Sequence, residues 1–129
     1  MASIFTRIVQ GEIPCYKIAE DENYLAFLDV NPLVKGHTLV IPKTEQDYIF
    51  DLEDESFVGL QLFAKKVAIQ LKKHIVCKRI GVAVIGLEVP HAHIHLIPLN
   101  QMDDMNFNRV KLTLSSEELS KIAEKLKLS

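Results

Sequence analysis

Two short runs dominated by apolar residues, Tyr24-Leu25-Ala26-Phe27-Leu28 and His37-Thr38-Leu39-Val40-Ile41, are separated by turn chemistry at Asp29-Val30-Asn31-Pro32 and Gly36. Such punctuated runs read as strands. Asp21-Glu22-Asn23 supplies a hairpin turn before the first, and Pro42 closes the second. Pro14 opens an earlier extended stretch, Cys15 to Ala19, and Ile80 to Ile85 reads as a fourth strand ending at the turn residue Gly86. A second periodicity marks helices. Ile4, Phe5, Ile8 and Val9 make a short amphipathic helix of Ser3–Gln10, stopped by Gly11. Phe57, Leu60, Ala64, Val67 and Leu71 recur at helical spacing and form one apolar stripe on a long helix, Asp51–His74. Its acidic start (Asp51, Glu53, Asp54, Glu55) and basic end (Lys72, Lys73, His74) complement the helix dipole. Gln101–Arg109 reads as a polar loop, and Ser115 or Ser116 caps a last helix. Strands in neighbouring pairs, without βαβ alternation, predict an α+β fold. It is an antiparallel sheet with a long central helix and a C-terminal helix, in a single domain over 1–129.

The fifth strand predicted is Val89-Pro90-His91-Ala92-His93-Ile94-His95-Leu96-Ile97-Pro98. Successive side chains of a strand point to opposite faces. His91, His93 and His95 therefore stand in a row on one face, while Ala92, Ile94 and Leu96 point into a core. The chain has five histidines, and three of them fall within these five residues. Imidazole titrates nearest neutrality, so such a row is suited to proton handling, metal binding or nucleophilic attack.

Bulk properties narrow the field. A net charge of -2 with 25% charged residues exerts no overall pull on nucleic acid or anionic membrane. No apolar stretch approaches the roughly 18 residues needed to cross a bilayer, and the N-terminus lacks a signal peptide's apolar run. Cys15 and Cys77 form no CxxC pair, so two reduced thiols and a cytoplasmic location are expected.

Three chemistries suit the row. It binds a metal, with Glu88 or His37 as a further ligand; or an imidazole nitrogen attacks phosphorus to form a phosphoramidate that water hydrolyses; or it grips an anion as a binding module. Gly86 places a tight turn close to the row, Ile4, Phe5, Ile8, Phe27 and Leu39 can make an apolar slot for a base, and Asp29 can accept from ribose hydroxyls.

Pro90-His91-Ala92-His93-Ile94-His95-Leu96-Ile97 resembles the signature of the histidine triad (HIT) family, His-φ-His-φ-His-φ-φ with φ apolar. Ile4-Phe5 with Ile8 and Gly11-Glu12-Ile13-Pro14, Leu25 to Pro32, and Lys35-Gly36-His37-Thr38-Leu39-Val40-Ile41-Pro42-Lys43 are similar to three further family segments, in the family's order. The resemblance implies a homodimer that binds purine nucleotides and cleaves their conjugates, phosphoramidates or dinucleoside polyphosphates, at the α-phosphate. It implies His93 as nucleophile, His95 as contact to phosphate and leaving group, His91 as orienting residue, and His37 as outer support for His91 and His93. It implies Ile4, Phe5, Ile8, Phe27 and Leu39 as base pocket, Asp29 and Val30 as ribose contacts, and Gly86 as the phosphate-turn glycine. No cofactor is expected, beyond a divalent metal arriving with substrate phosphates.

The chain also departs from the family pattern. Glu88 stands where a small hydroxyl residue is usual; its carboxylate, repelled by a polyphosphate, would point away, be protonated, or bind a cationic leaving group, and the last option favours an amine. Some relatives carry a structural zinc on Cys-Ile-Phe-Cys and a histidine after the Ile-Pro-Lys strand. Here those positions read Ser3-Ile4-Phe5-Thr6 and Thr44-Glu45, so no metal site is expected. The alternative to an enzyme is a nucleotide sensor or scaffold that binds without turnover.

Overall fold

The computed structural model describes residues 2–128. The order is α1 (Ile4–Val9), β1 (Lys17–Glu20), β2 (Tyr24–Leu28), β3 (Thr38–Pro42), α2 (Asp54–His74), β4 (Arg79–Ala83), β5 (Ile94–Leu99) and α3 (Ser116–Leu126). Short 3-10 turns lie at Ile49–Asp51 and Met102–Met105. The strands form one antiparallel sheet in the order β1-β2-β3-β5-β4, so the α+β architecture read from the pattern is the one formed.

Both faces of the central strands are covered, which explains why β3 is buried at every position instead of alternating. On one face Ala26, Leu28, Val40, Ile94 and Leu96 meet Leu60, Ala64, Val67 and Leu71 of α2 and Leu119, Ala123 and Leu126 of α3 in the main core. On the other, Leu25, Phe27, Leu39 and Ile41 pack with Phe5 of α1 in a smaller cluster. Directly opposed residues share a face, so the pairs Phe27↔Leu39 and Leu39↔His95 set His95 in the row that carries this second cluster. Burying each such aliphatic side chain is worth about 1.5–3 kcal/mol, and α2, with five buried apolar side chains, anchors the sheet from behind. The histidine face is left to the small helix α1 and a cavity.

Four boundaries differ from expectation by two residues or more. Strand β5 begins at Ile94 rather than at His91. Continuing the β3–β5 register would set Ala92 against Pro42, which has no N–H to donate, and Ala92 N–H turns to the Gln46 carbonyl at 2.6 Å. The alternation survives without the ladder, since Ala92, Ile94 and Leu96 lie in the main core. Helix α2 starts at Asp54 rather than Asp51, because Leu52 and Glu53 are extended behind the 3-10 turn; Asp54 and Glu55 alone fill its acidic first turn. Strand β1 starts at Lys17 rather than Cys15, and β4 ends at Ala83 rather than Ile85, which instead lines the cavity. Among the described residues no helix is long and apolar enough to cross a membrane.

Gly36, at φ +90°, leads into His37 and β3, and a Cβ there would collide with Ile75 and press on Pro98. Gly11, at φ +80°, has open space around it. Gly11→Ala should cost about 1 kcal/mol for its backbone conformation alone. Gly36→Ala should cost about 2–4 kcal/mol, since strain and overlap combine. Urea midpoints of the two variants check this order.

Candidate active site

A cavity of about 690 Å³ opens on the histidine face between α1, the ends of β2 and β3, the Ile85–Val89 turn and the segment that follows β5. Ile4, Phe5, Ile8, Phe27, Leu39, Asp29, Val30, Gly86 and Glu88 all line it, with His37, His93 and His95. His91 does not. It is wholly buried behind the wall, and its contribution passes through hydrogen bonds.

Phe5 is the hinge of the apolar side. Its ring meets Phe27 edge-on at 5.6 Å, His93 at 5.0 Å and His91 at 5.8 Å. Across the cavity Asp29 ends β2, where its Oδ1 accepts the Asn31 backbone N–H at 2.8 Å. Burial raises the Asp29 carboxyl above its ordinary value, against the lowering effect of that hydrogen bond. Gly86 takes φ +73°, a left-handed turn that a side-chain-bearing residue rarely adopts.

Hydrogen-bond partners assign the ring protons. His93 Nδ1 lies 2.7 Å from the carbonyl oxygen of His91. A carbonyl only accepts, so Nδ1 carries a proton, and in the neutral ring Nε2 keeps its lone pair. His37 Nδ1 accepts the Leu33 N–H at 3.0 Å, so the His37 proton sits on Nε2, which lies 3.0 Å from His95 Nδ1 and donates to it. His95 therefore carries its own proton on Nε2. Adjacent rings of the row are thus set in opposite tautomers, one presenting a lone pair and the next an N–H. Burial, reinforced by His95 and then Lys111, pushes His37 down to about 3; burial, reinforced by His93, pushes His95 down to about 4. Both are neutral at physiological pH. His37 supports His95, not the expected His91 and His93.

The segment after β5 was expected to be a plain loop, and it supplies a wall. Buried Asp104 accepts the backbone N–H groups of Asn100 and Gln101 at 2.8 and 3.1 Å and pairs with Arg109 at 3.3 Å. Leu112 N–H reaches the Pro32 carbonyl at 2.8 Å. Between these ties Phe107 meets His95 edge-on at 4.9 Å and His37 at 6.3 Å, while Asn108 and Lys111 line the cavity. Cys15, Ile13 and Leu87 also line it without having been singled out by their spacing.

Asp29, His37 and His95 bring one donor atom each to within 4.8 Å of one another. Ligation through His37 Nε2 would need that nitrogen's lone pair, and so would cost the Leu33 N–H its acceptor. A metal held there would have to displace both the His37 Nε2 proton and the Leu33 N–H bond to His37.

A five-stranded antiparallel sheet with a row of histidines on the wall of one cavity defines the class, an α+β protein with a histidine-lined pocket. The HIT domain description matches residues 10–102, and the chain belongs to the HIT family. It is 37% identical over 129 residues to the adenosine 5'-monophosphoramidase hnt1 of Schizosaccharomyces pombe, covering 98% of this chain and 96% of that one. A Hit-like protein from Bartonella henselae superposes with a TM-score of 0.85 at 28% identity, over 97% of this chain and 93% of that one. A Zn-bound histidine triad family protein from Mycobacterium smegmatis superposes at 0.80 with 27% identity, over 98% and 91%.

The neutral histidines make stability depend on pH. In the unfolded chain they take up protons near about 6.5, but in the fold only near 3 and 4. Their contribution is fully present above about pH 6.5 and is lost as pH falls towards those lower values. The urea midpoint should be level from about pH 7 to 8 and decline below about 6.5. His37→Asn, which removes one titrating ring, should decline less steeply.

Proposed function

We propose that this chain is a nucleotidyl hydrolase acting at the α-phosphate of purine nucleotide conjugates, with phosphoramidates favoured. The observation that carries the reading is the tautomer pair, a bare Nε2 on His93 beside an Nε2–H on His95. In the first half-reaction His93 Nε2 bonds to the α-phosphorus and the bond to the leaving nitrogen or oxygen breaks. The Nδ1–H bond to the His91 carbonyl stabilises the positive ring that results. His95 Nε2–H donates to the phosphoryl or departing atom. Because His95 loses its extra proton near about 4, it serves at neutral pH as a donor, and the departing amine takes its proton from solvent. In the second half water bonds to phosphorus, the P–Nε2 bond breaks, its electron pair returns to His93, and the water's proton goes to solvent.

The cavity's polarity supports an amine leaving group. Asp29 and Glu88 line it against the single cation Lys111, and this excess of carboxylate disfavours a long polyphosphate, whose anionic leaving group a divalent cation would have to accompany. The apolar wall of Ile4, Phe5, Ile8, Phe27 and Leu39 suits a flat purine. The S. pombe relative is named for phosphoramidase activity, which agrees with this reading. Cys15 and Cys77 are free thiols, as suits a cytoplasmic protein.

We also read the chain as a homodimer. Strand β4 is a sheet edge, Val82 on it is exposed, and Val58, Leu62 and Ile69 form an exposed apolar stripe on α2, which packs beside β4. A second copy can pair with the edge and cover the stripe.

With adenosine phosphoramidate as substrate, His93→Ala should lower kcat/KM by about a thousandfold or more while AMP still binds. Turnover at the wild-type rate in that variant would contradict the reading. Leu62→Glu combined with Val82→Lys should yield monomers by light scattering, where the unaltered chain yields dimers.

A further inference from the structure

On the side of Phe5 away from the cavity, buried Ser3 and His91, half-buried Thr6 and exposed Glu45 come together from three segments. Glu45, beyond the end of β3, accepts through Oε1 the Ser3 backbone N–H at 2.6 Å and the Thr6 hydroxyl at 2.6 Å. The Ser3 hydroxyl oxygen accepts the Thr6 N–H at 3.0 Å and lies 2.9 Å from His91 Nδ1. His91 Nε2 lies 2.8 Å from the Pro42 carbonyl, so its proton is on Nε2, and in the neutral ring Nδ1 takes the Ser3 hydroxyl proton. Every donor in the set then has an acceptor. The chain of bonds runs from Glu45 through Ser3 to His91, whose carbonyl holds His93 Nδ1.

We propose that Glu45 is a positioning residue: through Ser3 and Thr6 it clamps α1 onto His91, and so fixes both the carbonyl that orients His93 and the Phe5 wall. Helix α1 has only six residues and needs an external anchor, since a helix of that length does not hold itself in water. The anchor is spread over three polar partners, and Glu45 is its one charged member. The two N–H and O–H groups it accepts draw the carboxyl down to about 2, the Ser3 backbone contributing most, so the anchor is ionised throughout the neutral range. By the family resemblance, Ser3 and Thr6 stand at positions that are zinc-ligating cysteines in some relatives. Neutral hydroxyls do not fit a zinc centre. A hydrogen-bonded clamp therefore does here what a metal would otherwise do, tying the N-terminal helix to the histidine row. Its effect on turnover rests on the nucleotidyl-transfer reading. Its effect on α1 does not.

The test compares Glu45→Ala with Glu45→Gln, which keeps an acceptor oxygen in place. Glu45→Ala should speed amide exchange in α1 and weaken AMP binding, each by about three- to tenfold, with exchange in α3 unchanged; Glu45→Gln should recover most of both losses. The purified protein should contain no stoichiometric zinc. Wild-type α1 exchange and AMP affinity in Glu45→Ala would overturn the clamp. So would one zinc per chain that is lost in that variant. Faster α1 exchange in Glu45→Ala, in a protein whose unaltered form binds no AMP, would uphold the clamp and count against the nucleotide reading alone.

Discussion

The bond from His93 Nδ1–H to the His91 carbonyl is the constraint on which the site depends. It joins a side chain to the backbone two residues earlier, so it forms only if the chain holds a defined shape across His91–Ala92–His93. That shape is imposed from outside the row. His91 is held by Pro42 and Ser3, Ala92 N–H by Gln46, and the ladder of β5 takes over at Ile94. His93, the nucleophile of the proposed reaction, thus sits on an irregular segment that backbone acceptors hold on either side, at a point where the sheet itself supplies none.

A second chain of bonds does the reverse for His95. Leu33 N–H, His37 and His95 pass one orientation inwards, and Phe107 covers the pair against solvent. Burial keeps both rings uncharged, so the proposed phosphoryl substrate would meet donors rather than full positive charge. In the proposed reaction, fixed dipoles on the cavity wall would stabilise charge as it develops on the phosphoryl group without binding the ground state too tightly. The doubly covered sheet makes this affordable in structural terms: α2 and α3 carry most of the stability on one face, leaving the other free to hold polar side chains.

Much of this was legible in the sequence, and the exceptions have physical causes. Strand β2 falls at its predicted limits and β3 within one residue, since both are apolar runs between strong turn residues. The alternation of His91, His93 and His95 against Ala92, Ile94 and Leu96 gave their opposite faces correctly, although the ladder covers only its second half. Pro42 ends β3, and the donor it lacks also cuts short the neighbouring strand. The apolar lining and Asp29 could be placed from the family's motifs. Phe107 and Lys111 could not, because a single aromatic in a polar stretch has no period, and its position depends on Asp104 and Pro32 ties that spacing does not reveal. Which ring His37 supports was likewise a matter of distances, and it proved to be His95.

The measurement that bears most directly on the account is a long-range proton–nitrogen NMR spectrum of the protein labelled with nitrogen-15 histidine, recorded near neutral pH. The account predicts a protonated Nδ1 and bare Nε2 on His93, and a bare Nδ1 and protonated Nε2 on His95. The same tautomer on both rings, or either ring averaging between its two forms, would contradict it.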